Sequence, residues 1–128
     1  MDHRQRPHFV LALEPVDTAV RAARDTVRAA LEGWDRRDVH GDLELITSEL
    51  VTNAIRHANA VMLVLYLPDD KTVMVEVWDD NPQGPAAPIA DLQAEGGRGL
   101  MLVGALSHSW GWRSTGRGKV TWAQTTTP

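Results

Sequence analysis

The chain has 128 residues, no cysteine and a formal net charge of −4 at pH 7. The absence of cysteine excludes disulfides, thiolate catalysis and cysteine-based zinc sites, and the acidic balance argues against a protein that neutralises a nucleic-acid backbone. A chain of this size predicts one domain over residues 1–128, with the polar segment 1–7 as a flexible tail. Because it has no signal-peptide core and no apolar run long enough to span a bilayer, we expect a cytoplasmic protein without membrane or direct nucleic-acid contact.

The first half of the chain predicts one strand followed by two helices. Residues 8–14 place apolar side chains at alternate positions, as a strand with one buried face does. A helix is predicted from Asp17, the expected N-cap, to about Gly33, since apolar side chains recur there at helical spacing. A second amphipathic helix is predicted over residues 39–57.

The second half predicts two hairpins separated by a long loop and a helix. Residues 61–67 are apolar on both faces, which indicates an internal strand, and residues 72–79 alternate cleanly. A loop rich in proline and glycine then leads to a glycine cluster and an apolar helix. Two further strands, 107–114 and 119–125, follow as the second hairpin.

This order of elements predicts an α+β fold, a two-layer α/β sandwich with a mixed, mostly antiparallel sheet and its helices on one face. The other face of the sheet would then be open, and Met74 and Trp78 are among the side chains expected on it. A homodimer or partner surface is one hypothesis for this apolar area, and ordinary scattered exposure is the alternative.

Polar side chains follow one edge of the helix predicted over residues 39–57. Glu49, Asn53 and His57 recur at intervals of one helical turn beside an apolar face. A carboxylate followed by a side-chain amide suits hydrated Mg²⁺ held beside phosphates. The alternatives are that Glu49 and Asn53 are simply solvated and that His57 is a structural histidine.

Two further features suggest subsites for a base and for phosphates. Asp79 has the same strand parity as the valines of residues 72–79, so it is predicted to point inward, where a charge needs a partner. A carboxylate in such a place can accept a hydrogen bond from an exocyclic amine such as that of adenine. Gly96, Gly97 and Gly99 precede the apolar helix, and glycine-rich helix starts bind anions; Arg98 could reach a terminal phosphate or solvent.

Three motifs resemble those of the GHKL, or Bergerat-fold, superfamily of ATP-binding domains. The segment SELVTNAIRHA resembles its N-box, VEVWDDNPQGP its first glycine box and EGGRGLMLV its second. Over almost its whole length the chain resembles the small stand-alone bacterial members of this superfamily, the anti-sigma-factor serine kinases. Two positions depart from the usual pattern: in the first box glycine is delayed to Gly84, and Gly118 is followed by Lys119 where a Gly-Thr pair is common.

The resemblance implies a regulator that binds ATP and Mg²⁺. Asn53 would ligate Mg²⁺, Glu49 would act as general base, and Asp79 would recognise the adenine amino group. A sigma factor, an anti-anti-sigma antagonist or both would be the partners, regulated by phosphorylation or direct binding. The other residues that the resemblance places at the nucleotide are His57, Asn81, Gly84, Gly96, Gly97, Arg98, Gly99 and Leu100.

Two alternatives remain open from sequence. The first is a partner-binding switch on the same fold, without catalysis and with weak or no nucleotide binding. The second is a metal-dependent hydrolase that uses Asp79, Asp80 and a histidine. Whether the protein is an enzyme, with protein serine/threonine kinase as the candidate activity, is therefore left undecided by the sequence.

Overall fold

The computed structural model describes residues 8–83 and 95–126. The predicted tail 1–7 and most of the predicted loop, residues 84–94, lie outside the described residues. In chain order the elements are β1 (His8–Leu13), α1 (Thr18–Gly33), a 3₁₀ turn (Arg37–Val39), α2 (His40–His57), β2 (Val61–Tyr66), β3 (Thr72–Asp79), α3 (Glu95–Leu106), β4 (Ser109–Ser114) and β5 (Lys119–Thr126).

The strands form a five-stranded sheet in the order β1-β2-β3-β5-β4, and the predicted α+β sandwich is confirmed. All four described pairings are antiparallel, so no parallel pair of the predicted mixed sheet is present among them. Because β5 is antiparallel to both β3 and β4, these two strands run in the same direction. However, β5 pairs with both strands and separates them.

The core lies between the helices and one face of the sheet. The predicted inward faces are confirmed: Val73, Val75 and Val77 of β3 are buried, as are most apolar residues of α1 and α2 at helical spacing. On the exposed side, Arg28 of α1 donates through Nε and Nη2 to Oε1 of Glu44 of α2, and this carboxylate raises the pKa of Arg28. The two helices are therefore joined by an ion pair as well as by apolar packing.

The local sequence explains several ends of these elements. Asp17 occupies the N-cap position of α1 as predicted, but its side chain makes no capping hydrogen bond, because its backbone is already helical with φ −58° and ψ −34°. Helix α3 begins at Glu95, earlier than the end of the glycine cluster, so Gly96, Gly97 and Gly99 belong to its first turns.

The second face of the sheet carries partly exposed apolar side chains and a row of hydrogen-bonded polar side chains, Tyr66, Glu76 and Arg113. Tyr66 donates to Oε2 of Glu76 at 2.6 Å, and Arg113 donates to Oε1 of the same carboxylate at 3.1 Å. Burial, followed by the hydrogen bond to Glu76, raises the pKa of Tyr66 to about 12. Beside this row, the indole of Trp122 lies over Gly111: a Cβ added at Gly111 would lie 3.0 Å from the indole ring.

None of the described helices is both long and apolar enough to cross a membrane.

Candidate nucleotide site

The polar edge of α2 is available to a ligand. Glu49 and Asn53 lie one helical turn apart and are partly exposed, whereas Leu50 and Val51 between them are buried. Neither polar side chain forms a hydrogen bond or ion pair with any residue that the structure describes. Among the described residues, therefore, nothing competes with an external group for this carboxylate and this amide.

Asp79 ends β3 and points into the core, as its strand parity predicts. Its exposed fraction is 1%, and it lies on the same face as Val77. Its Oδ1 accepts a hydrogen bond from the Lys119 ammonium at 3.0 Å and another from the backbone N–H of Asn81 at 2.9 Å. The buried carboxylate therefore has a partner of opposite charge within the protein.

Sequence reasoning missed a role for Lys119, which stands out in the sequence only as a departure from the family pattern. It is 3% exposed and begins β5, where it is the Cα partner of Asp79. Its ammonium also donates to the backbone carbonyl of Asn81 at 3.2 Å. Strand alternation did not reveal its burial: Lys119 shares its face with Thr121 and Ala123, which are buried, whereas the more apolar Val120 and Trp122 lie on the opposite face.

The start of β5 lies directly against the end of β3. A Cβ on Gly118 would come 1.9 Å from the backbone oxygen of Asp79 and 2.9 Å from the Cα of Asp80. Only glycine leaves room for this approach, which sets the Lys119 backbone beside Asp79.

The next two residues of the first glycine box anchor the chain to α2 and the following loop. Oδ1 of Asp80 accepts hydrogen bonds from the backbone N–H groups of Asn59 and Ala60 at 2.8 and 3.1 Å, and these bonds lower the pKa of Asp80. Asn81 donates through Nδ2 to the carbonyl of His57 at 3.0 Å. Both side chains therefore have structural partners at the site.

The remaining predicted ligand residues differ in their placement. The His57 side chain is exposed at the end of α2, and its carbonyl is the group that Asn81 contacts. Leu100 is 5% exposed, so its side chain packs inward. Gly84 lies outside the described residues, and the side chain of Arg98 is likewise not described, although α3 includes its backbone. Contact of these residues with a nucleotide stays a prediction.

The chemistry of the site fits a nucleotide with Mg²⁺ better than a metal held by protein alone. The described part of the chain contains no group of three or more His, Cys, Asp or Glu side chains that could hold a metal ion. Mg²⁺ commonly takes one or two protein oxygens together with phosphates and waters, and Asn53 offers one such oxygen. The hydrolase alternative loses support because Asp79 is bonded to Lys119 and Asp80 to backbone amides.

Comparison with known families identifies the class. Residues 13–125 match the histidine kinase-like ATPase domain. The chain therefore belongs to the histidine kinase-like ATPase domain family, the GHKL superfamily that its three motifs resemble. No curated protein matches the chain.

Solved structures share the fold at low sequence identity. The RsbU and RsbW domains of Rv1364c from Mycobacterium tuberculosis match with a TM-score of 0.67 and 21% identity, over 94% of this chain and 32% of that chain. The histidine kinase domain of the Erythrobacter litoralis EL346 blue-light activated histidine kinase matches with a TM-score of 0.52 and 19% identity, over 86% of this chain and 60% of that one. The Acinetobacter baumannii histidine kinase AdeS matches with a TM-score of 0.54 and 14% identity, over 97% of this chain and 70% of that chain.

Proposed function

We propose that this protein is a cytoplasmic, ATP-binding regulator of the anti-sigma-factor serine kinase type. The observation that carries the proposal is the placement of Asp79, a buried carboxylate at the end of β3, on the sheet face that packs against α2. Helix α2 carries Glu49 and Asn53, which are partly exposed. Membership of an ATPase domain family supports ATP as the ligand. The RsbW domain in a structure of the same fold favours the anti-sigma-factor serine kinase type.

Each residue would then have a distinct role. Asp79 would accept a hydrogen bond from the adenine amino group, and the first turns of α3 would bind phosphates through unpaired backbone N–H groups. Asn53 would supply an oxygen to Mg²⁺, which neutralises charge on the phosphates when bound. Glu49 would take the proton of a partner's serine hydroxyl. The serine oxygen would form a bond to the terminal phosphorus as the bond between that phosphorus and the leaving ADP breaks.

The Mg²⁺ assignment can be tested on the purified protein by calorimetric titration with ATP, with and without Mg²⁺. Asn53→Ala should lose the Mg²⁺-dependent part of the affinity. Asn59→Ala is the matched control, because Asn59 is exposed and bonds to Asp80 through its backbone N–H, which alanine keeps. Unchanged Mg²⁺ dependence in Asn53→Ala, with the fold intact, would exclude Asn53 as the ligand.

A partner-binding switch without catalysis is the second candidate. It is favoured by the hydrogen bonds that Oδ1 of Asp79 already accepts from Lys119 and Asn81 inside the chain. Transfer of labelled phosphate from ATP to a serine of an anti-anti-sigma protein separates the two functions. Stable complex formation without transfer would establish the switch, and transfer would establish the kinase.

We further propose that the partner is a sigma factor or its antagonist. We also propose that a second copy of the chain binds to the open sheet face and forms a homodimer. Partly exposed Val64, Met74 and Trp78 give that face its apolar area. Light scattering after gel filtration should give a dimer mass for the parent and a monomer mass for Val64→Glu. Leu45→Glu, at an exposed position of α2, is the control and should leave the mass unchanged. A monomeric parent would refute the dimer.

A further inference from the structure

The buried pair of Asp79 and Lys119 is expensive for a protein of this size to maintain. Their exposed fractions are 1% and 3%, so both charges are removed from water. Desolvation offsets most or all of the attraction in such a pair, which makes a buried ion pair a poor source of stability. A lysine in this position therefore calls for a role beyond holding two strands together.

Both members of the pair keep unused hydrogen-bonding capacity. The two bonds that described residues donate to Asp79, from Lys119 and from Asn81, both end on Oδ1, and Oδ2 receives none from these residues. The Lys119 ammonium has three N–H donors. Two of them account for its bonds to Asp79 and to the carbonyl of Asn81. Within the described part of the chain, one acceptor oxygen of Asp79 and one N–H of the Lys119 ammonium therefore have no partner.

An adenine edge offers the complementary pair. Its 6-amino group is a donor, and the adjacent ring nitrogen N1 is an acceptor. A guanine in the same pose would place its O6 acceptor against the carboxylate and its N1–H donor against the ammonium, so that both contacts would be unfavourable. In this pose the Asp79–Lys119 pair would distinguish the two purines at two atoms instead of one.

We propose that Lys119 is a second specificity-determining residue for the base, donating a hydrogen bond to N1 of adenine while Oδ2 of Asp79 accepts one from the 6-amino group. This rests on the proposed function, since it assigns a contact within the same nucleotide site. With this contact, a chain that has Lys119 where a threonine hydroxyl is common could still recognise the base, because the ammonium supplies a charge-assisted hydrogen-bond donor directly. The backbone approach at Gly118 and the bond to Asn81 hold that donor in place.

The test compares ATP with two analogues on the unmodified protein, in the presence of Mg²⁺. In 1-deaza-ATP a C–H replaces N1, and in 7-deaza-ATP a C–H replaces N7, away from the edge that the pair faces. Loss of a hydrogen bond to a charged, buried donor should weaken 1-deaza-ATP binding by roughly 10- to 100-fold relative to ATP. Binding of 7-deaza-ATP should match that of ATP.

A variant then assigns the effect to the lysine. Lys119→Met should bind ATP and 1-deaza-ATP with equal affinity, both weaker than ATP on the parent, and the parent comparison stands even where the variant folds poorly. Equal binding of ATP and 1-deaza-ATP by the parent would overturn the role of Lys119 and leave the proposed function intact. Tighter ATP binding by Lys119→Met would overturn it too, since the ammonium would then compete with the amine. Failure of the parent to bind ATP would refute the proposed function itself.

Discussion

Replacement of Gly118 by alanine tests the close approach that forms the candidate site. The added Cβ would lie 1.9 Å from the backbone oxygen of Asp79, and contacts under 3.0 Å essentially never occur for real Cβ atoms. The start of β5 must therefore move by about 1 Å or more against backbone that cannot rotate away. Overpacking of this kind typically costs about 1–3 kcal/mol. We expect about 3 kcal/mol, because the shift also separates Lys119 from Asp79.

Urea unfolding followed by tryptophan fluorescence measures this loss. With a typical dependence of stability on urea, Gly118→Ala should lower the midpoint by about 2 M. Gly41→Ala is the matched control, because nothing lies within 4 Å of an added Cβ there and the residue is in α2. It should be no less stable than the parent, since alanine favours helix by about 0.5–1 kcal/mol over glycine. A Gly118→Ala midpoint equal to that of the parent would refute the close approach.

Three further predictions concern single groups. The pKa of Tyr66 is raised to about 12, whereas an unfolded tyrosine ionises near pH 10, so stability should fall as pH rises from about 10 to 12. The ultraviolet absorbance of this single tyrosine should show ionisation near pH 12. An ionisation midpoint near pH 10 in the folded protein would contradict the burial of Tyr66. The pKa of Asp80 is lowered by backbone hydrogen bonds, so the stability it contributes is present above the ordinary carboxyl pKa and is lost as pH falls through the lower folded value. In Asp80→Asn, the urea midpoint should therefore fall less steeply as pH decreases into the acid range. An unchanged fall would show that Asp80 does not contribute to the acid loss of stability. Glu49→Gln should bind ATP as the parent does but transfer phosphate roughly 100-fold more slowly, the scale of general base catalysis; transfer at the parent rate in a labelled-phosphate assay would remove Glu49 from catalysis.

Sequence predicted the elements and the faces they bury, because both follow from local spacing. Alternation in β3 placed Asp79 on the inward side with Val77, and helical spacing in α2 placed Glu49 and Asn53 beside its apolar face. Each of these inferences uses side chains only a few residues apart. The structure places all three residues as the spacing predicted.

The partners of the site residues could not be predicted in the same way, because they come from distant parts of the chain. Lys119 meets Asp79 only because β5 lies between β3 and β4 in the sheet. Asp80 and Asn81 bond to the end of α2 and to the loop after it, about twenty residues earlier in the chain. The need for glycine at Gly118 likewise depends on a contact between strands, which no local pattern records.

The most direct test of the nucleotide site is a nuclear magnetic resonance titration of isotope-labelled protein with Mg-ATP. We expect saturable shifts of the backbone amides of Asn53, Asp79 and Asn81, at the place where α2 and the end of β3 meet. The amides of Val64 and Glu76, farther along the sheet, should remain unchanged. Absence of shifts at the first three positions up to millimolar ATP, or shifts confined to the sheet, would contradict a nucleotide site at this place.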